Sequence, residues 1–83
     1  MTVSQFKAFA LQTMCEEHLW KNGESSEFTL LGWRYKIEKS DGLFHLYLNG
    51  QNKKEGGWCR HDAFPTMNRL FASIFYTRCI SYE

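Results

Sequence analysis

The sequence has no excess of charge of either sign and no long apolar run. Its 83 residues include ten Lys and Arg residues against nine Asp and Glu residues, for a formal net charge of +1. This balance excludes a polybasic tail that binds nucleic acid by charge alone and an acidic surface that imitates DNA. Lys7 and Gln12 interrupt the first apolar stretch, and no segment approaches the roughly 20 apolar residues of a membrane-spanning helix. The sequence therefore predicts a protein that does not cross a membrane.

The sequence has few cysteines, and their number is odd. Three cysteines do not form a closed disulfide framework, and the N-terminus lacks the charged and then apolar leader of a secreted protein. We therefore expect a soluble protein in the reducing cytoplasm. The sequence also lacks a phosphate-cradling glycine loop, an acidic metal-binding loop and a paired-carboxylate signature. It predicts neither a cofactor nor an enzymatic activity.

Aromatic residues, by contrast, are abundant. Seven Phe, four Tyr and three Trp make up 17% of the chain, far more than a disordered chain contains. We expect one compact domain over residues 1–83, and a domain of this size buries only about 60% of the surface that its unfolded chain exposes. Large side chains must therefore supply the core, and some aromatic residues should remain at the surface, where partners bind.

Two segments have the apolar period of an α-helix. The stronger signal lies in Phe64–Arg78, where Thr66 is the predicted N-cap. Its apolar stripe comprises Met67, Leu70, Phe71, Ile74 and Phe75. The other helix is predicted over residues 2–22, and Thr2 with Gln5 forms its capping box. Its apolar stripe comprises Val3, Phe6, Ala10, Leu11, Met14, Cys15 and His18.

Between the helices the pattern changes to a period of two, which is typical of β-strands. Trp33–Glu38 and Leu43–Leu48 alternate, and Asp41-Gly42 suits a hairpin turn between them. Residues 58–61 form a third strand, and Phe28–Leu31 is a short lead-in strand whose edge is open to strand addition. We predict an α+β fold of the order α-β-β-β-α, with a three-stranded antiparallel sheet and both helices on one sheet face. That face carries Trp33, Tyr35, Ile37, Phe44, Leu46 and Leu48.

The opposite face of the predicted hairpin combines basic and aromatic side chains. Alternation leaves two arrangements for the third strand, and we favour the one in which Trp58 and Arg60 point outward while Cys59 and His61 point inward. Aromatic residues and arginine carry most of the binding energy at protein interfaces. The predicted partner-binding residues are Arg34, Lys36, His45, Tyr47, Trp58 and Arg60.

Two functions fit this surface. The first is a small non-enzymatic interaction module, an adaptor or inhibitor that occupies a surface of a larger protein. Phages and other mobile elements often use domains of this size as accessory or anti-defence proteins, which is an analogy of size alone. Homodimerisation through the sheet edge or the outer face is compatible with it. The alternative is a nucleic-acid-binding module, because charge interleaved with rings can hold phosphates and stack bases. Its contact residues are Arg34, Lys36, Lys39, His45, Lys53 and Lys54.

Cysteine and histidine residues offer weaker alternatives. Cys15 and His18 lie one helical turn apart, and Cys59 and His61 lie two residues apart on a strand, so the four make a chemically reasonable zinc set. Their spacing matches no familiar zinc finger. Cys59, His61 and Asp62 are also the residue types of a thiol enzyme, but side chains two apart on a strand run parallel instead of facing each other. We therefore predict neither a metal site nor catalysis.

Overall fold

The computed structural model describes residues 1–49 and 58–79 of the protein. A 3-10 turn, Glu17–Leu19, follows the first helix, and a π-helical turn, Phe75–Cys79, continues the second. Within these residues the strands form one antiparallel sheet of four strands in the order β1-β2-β3-β4. The elements in chain order are α1 (Val3–Cys15), β1 (Ser25–Leu30), β2 (Trp33–Ser40), β3 (Leu43–Asn49), β4 (Cys59–Phe64) and α2 (Met67–Ile74).

The α+β class and the antiparallel sheet are confirmed, but the sheet is larger than predicted. The expected lead-in segment belongs to a full strand, β1, which pairs with β2 from Ser25 opposite Glu38 to Leu30 opposite Trp33. In β1 the side chains of Phe28 and Leu30 are buried. The first half of β1 is polar, as is common in a strand at the edge of a sheet. In the sequence this polar segment looks like a loop.

Both hairpin turns of the first three strands use positive backbone angles. Asp41 and Gly42 have φ values of 55° and 76°, which confirms the predicted turn between β2 and β3. Leu31 and Gly32, with φ values of 51° and 84°, form the same kind of turn between β1 and β2. Leucine seldom adopts such an angle, and here its side chain packs against the core. The sequence indicates an end or a bulge of the strand at Gly32 but not a hairpin turn, because Leu31 is not a usual first residue of such a turn.

The first helix ends earlier than predicted. Its capping box of Thr2 and Gln5 is present, but α1 stops at Cys15. The buried residues of α1 are Phe6, Ala10 and Thr13, and the Thr13 hydroxyl donates to the Phe9 carbonyl at 2.8 Å. The prediction that Leu11, Cys15 and His18 belong to the buried stripe is wrong, since all three are exposed. Because threonine can satisfy its hydroxyl within the helix, it occupies a core position that the apolar pattern assigned elsewhere.

The core lies between the helices and one face of the sheet, as predicted. Tyr35, Ile37, Phe44 and Leu46 are buried there, and Trp33 and Leu48 pack against them half-buried. Phe6 of α1 is fully buried, and its ring centroid lies 5.9 Å from that of Phe28, 5.7 Å from that of Phe71 and 6.0 Å from that of Phe75. One ring thus joins α1 to β1, α2 and the π turn.

The start of α2 is held from two directions. Thr66 is the N-cap, as predicted, and its hydroxyl accepts from the Arg69 N–H at 3.2 Å. In addition, the Glu17 carboxylate accepts from the Met67 N–H at 2.6 Å. A carboxylate at a helix N-terminus also interacts favourably with the helix dipole. The segment after α1 is therefore tied to the start of α2.

In the described ranges no helix has the length and apolar character that crossing a bilayer requires.

Leu70 and Leu11 provide a matched test of the core assignment. Leu70 is 0% exposed and Leu11 is 63% exposed, and both lie in helices. We expect Leu70→Ala to lower the free energy of unfolding by about 2–5 kcal/mol because it leaves a cavity. Leu11→Ala should change it by less than about 0.5 kcal/mol. Urea denaturation followed by circular dichroism measures both values, and similar losses would contradict the assignment.

The carboxylate cap on α2 makes a second prediction. Glu17→Ala leaves the Met67 N–H without its side-chain acceptor, so the free energy of unfolding should fall by about 1–2 kcal/mol. Glu17→Gln keeps an acceptor oxygen and should lose less. The neighbouring Glu16→Ala is the control, because Glu16 is exposed. Equal losses for the two alanine variants in the same denaturation assay would show that the cap does not stabilise the fold.

Candidate functional site

The sheet face that the helices leave uncovered carries a cluster of cations and aromatic rings. Pairing of β2 with β3 places Lys36 opposite Tyr47, and the Lys36 Nζ lies 5.0 Å from the Tyr47 ring centroid. The same Nζ lies 5.3 Å from the Trp58 ring centroid, and the Arg34 Cζ lies 5.1 Å from that ring. These distances are within the range of cation–π attraction. We call Arg34, Lys36, Tyr47 and Trp58 the cation–π cluster.

Trp58 lies directly before β4 and is half-buried. Its contacts with Arg34 and Lys36 put its ring on the outer face, where the favoured arrangement of the third strand placed this one residue. The pairing of β3 with β4 shifts register between Leu46 and Tyr47, so strict alternation does not continue along β4. Tyr47 pairs with Arg60. The side chains of Cys59, Arg60 and His61 lie outside the described part of the structure, and their predicted positions stay predictions.

Acidic side chains are interleaved with the cluster. Glu27 of β1 lies opposite Lys36, and its carboxylate accepts from the Arg34 guanidinium at 3.4 Å. The Tyr47 hydroxyl donates to the Glu38 carboxylate, also at 3.4 Å. Glu27 was missed because the strand was predicted to begin at Phe28, after it. The alternation along β2 predicts Glu38 on this face, but the effect of its negative charge on the neighbouring cations was not considered in the prediction. The outer face of β1 and β2 therefore presents charges of both signs.

Lys39, predicted as a nucleic-acid contact, does not lie with the cluster. Its Nζ donates to the Trp20 carbonyl at 3.0 Å and lies 5.4 Å from the Phe44 ring centroid. Both contacts are on the face that carries the helices. Lys39 lies two residues after the buried Ile37 in β2, and side chains two residues apart in a strand point to the same face of the sheet. Lys53 and Lys54, the other predicted contacts of this kind, lie outside the described residues.

The position of His45 in β3 is one whose side chain faces away from the helices, as predicted, but the residue is only 8% exposed. It lies between Glu38 of β2 and Ala63 of β4 in the register of the sheet, and its Nε2 is 3.3 Å from the Ser40 carbonyl oxygen. His45 therefore exposes little area for contact, and its place in both predicted binding sets stays a prediction.

The predicted zinc set is only partly described. Cys15 and His18 are exposed, whereas the side chains of Cys59 and His61 lie outside the described part of the chain. Among the side chains that the structure describes, no group of three or more His, Cys, Asp and Glu residues is arranged to hold a metal ion. The described residues thus give no support to a metal site.

The edge of the sheet is the remaining predicted contact surface. In the described residues β1 is an edge strand, as expected for the lead-in segment. The Met1 ammonium group donates to the Thr29 carbonyl at 2.6 Å, so this acceptor of the edge is already used. The exposed Glu27 on the same strand adds a charge of the kind that protects edges from pairing. Strand addition by a partner or a second copy stays a prediction.

The cation–π cluster makes a measurable thermodynamic prediction. A double-mutant cycle with Lys36→Met and Tyr47→Leu should give a coupling energy of about 0.5–1 kcal/mol in the free energy of unfolding. A second cycle that combines Lys36→Met with the distant Leu11→Ala is the control and should give a coupling near zero. Chemical denaturation measures all the variants. Coupling energies that do not differ between the cycles would mean that the cluster contributes no specific attraction.

Comparisons with known proteins do not assign this chain to a family or suggest a function for it. No family model, curated protein or solved structure matches this chain.

Proposed function

We propose that this protein is a small non-enzymatic interaction module, an adaptor or inhibitor that occupies a surface of a larger protein partner. The observation that carries the proposal is the cation–π cluster, in which Lys36 lies against the rings of Tyr47 and Trp58 and Arg34 lies against the ring of Trp58. Tryptophan, tyrosine and arginine are the residue types that dominate measured binding energies at protein interfaces. Here all three residue types lie on the outer face of the sheet.

The contacts within the cluster also lower the cost of binding. Each long cationic side chain rests against a ring, so part of its rotamer freedom is lost before a partner arrives. Ordering a flexible side chain on association costs about 0.5–1.5 kcal/mol, and a pre-ordered side chain avoids much of this cost. A surface of this kind can bind through shape and ring contacts without a large opposite charge on the partner.

The charges around the cluster favour a protein over a polyanion. Glu27 and Glu38 lie on the same face as Arg34 and Lys36, and Glu27 contacts Arg34 directly. A nucleic-acid backbone that approached the cations would also meet these carboxylates. A protein surface with charges of both signs can complement all of them. The analogy with accessory proteins of mobile elements rests on size alone and supports an inhibitor or adaptor role no further.

The proposal predicts a partner that depends on the Trp58 ring. Immobilised wild-type protein should capture a specific protein from a lysate of the cells that express it, in the presence of nuclease and at physiological salt. Trp58→Ala should weaken the affinity for that purified partner at least tenfold, which corresponds to about 1.4 kcal/mol. The control is Gln12→Ala, at an exposed position of α1. Equal affinity for the wild type and Trp58→Ala would overturn the proposed surface.

The nucleic-acid alternative keeps one supporting observation, the alternation of cations and rings in the cluster. Fluorescence anisotropy with labelled single-stranded DNA, duplex DNA and duplex RNA, at low and physiological salt, separates the two functions. The protein-interaction proposal predicts no micromolar binding to any of the three. Binding that falls steeply with salt and is lost in Lys36→Gln would replace it with the nucleic-acid function.

A further inference from the structure

On the side away from the sheet, the two helices leave an open groove between them. The groove has a volume of about 460 Å³, and its walls are formed mainly by Leu11, Met14, Phe71, Phe75 and Tyr76. Clefts that bind ligands or side chains commonly have volumes of about 300–1,000 Å³. The helices lie between this groove and the sheet, so the groove and the cation–π cluster face opposite sides of the molecule.

Large apolar side chains are exposed at the groove. Leu11 is 63% exposed and Tyr76 is 71% exposed. Helix α1 has apolar residues on two faces, because Phe6 and Ala10 pack into the core while Leu11 faces the groove. In a typical surface helix the face opposite the core-facing stripe carries polar and charged residues, so apolar residues outside that stripe depart from the usual pattern. Apolar side chains that share one groove mark an interaction surface, whereas scattered ones do not.

The π turn after α2 shapes one end of the groove. Phe75 begins this turn, and its ring packs against that of Phe6 in the core, with centroids 6.0 Å apart. Tyr76 follows and projects toward solvent at the groove. π-helical turns are rare and are frequently found at functional sites. The turn thus places the ring of Phe75, which packs against the core, next to the exposed ring of Tyr76 at this end of the groove.

The charge at the groove indicates what can occupy it. Among the described residues that line it, Lys7 is the charged one and none is acidic. The Lys7 Nζ lies 5.4 Å from the Phe75 ring centroid, at the rim of the apolar walls. A second copy of the chain would bring another lysine to this place and no carboxylate from its own groove. An occupant with apolar side chains and a neighbouring carboxylate is complementary to it.

We propose that the groove between α1 and α2 docks an acidic amphipathic helix of a partner protein. A third helix fits a groove between two helices by inserting side chains spaced at i, i+4 and i+7. Those side chains pack between Leu11 and Tyr76, and an Asp or Glu beside them pairs with Lys7. This site is distinct from the outer face of the sheet, and it remains valid if the cation–π cluster binds nothing.

Binding of model helices tests the proposal. The first probe is a fluorescein-labelled, lactam-bridged peptide of about 18 residues, a length that supports a helix. It carries Leu at i, i+4 and i+7, flanked by Glu. The second probe has Lys in place of each Glu, and the third has Gln in place of each Leu. Anisotropy is measured with the full chain as wild type, Lys7→Glu, Leu11→Glu and Lys21→Glu. Lys21→Glu makes the same charge change as Lys7→Glu at another exposed position.

The expected result is a charge-dependent order of affinities. The acidic probe should bind the wild type and Lys21→Glu with a micromolar Kd, at least tenfold tighter than the basic probe. Lys7→Glu should reverse that order, Leu11→Glu should weaken both probes, and the Gln probe should not bind. Circular dichroism melting verifies that each variant is folded.

Three results would overturn the proposal. The first is no binding of the acidic probe at about 100 µM, or binding that Lys7→Glu and Leu11→Glu leave unchanged. The second is a concentration-dependent dimer that Leu11→Glu abolishes in analytical ultracentrifugation, which would assign the groove to a second copy. The third is saturable binding of dodecanoate that displaces the acidic probe, which would assign the groove to an acyl chain.

Discussion

The position of one ring, Phe6, holds the two layers of this fold together. Phe6 contacts Phe28 at the edge strand of the sheet, Phe71 in α2 and Phe75 in the π turn, and it is fully buried. Phe9 of the same helix adds ring contacts with Phe28 and Phe71, at centroid distances of 5.0 Å and 5.9 Å, so the two rings together attach α1 to the sheet and to α2. Both candidate surfaces depend on this attachment. The helices must stay on one face if they are to leave the cation–π cluster on the other face uncovered, and α1 must lie beside α2 for the groove to exist.

The parts of the fold that could be predicted are those in which one local pattern determines the structure. The apolar spacing from Met67 to Ile74 and the cap at Thr66 were sufficient to locate α2, because each position of that stripe is buried. Asp41-Gly42 was sufficient for its turn, because these residues tolerate positive φ angles. The strand β1 was not fully predictable, since half of an edge strand faces water and need not be apolar.

The candidate site was predictable in part for the same reason. Alternation along β2 placed Arg34 and Lys36 on the outer face correctly, and the same rule, applied strictly, would have placed Lys39 on the opposite face. The burial of His45 is not apparent from the alternation of its own strand, which assigns its side chain to the outer face. The carboxylate of Glu17 at the start of α2 had no local signal at all, because its partner is 50 residues away in sequence.

That same separation has a consequence for folding kinetics. A contact between residues so far apart in sequence closes a long loop, and the entropy of closure must be overcome before the contact contributes any stability. We therefore expect the bond from Met67 to Glu17 to form after the local hairpins and helices, on the native side of the folding barrier. An interaction that forms late slows unfolding and leaves the folding rate almost unchanged. A single carboxylate between the two helices then acts mainly on the lifetime of the folded state.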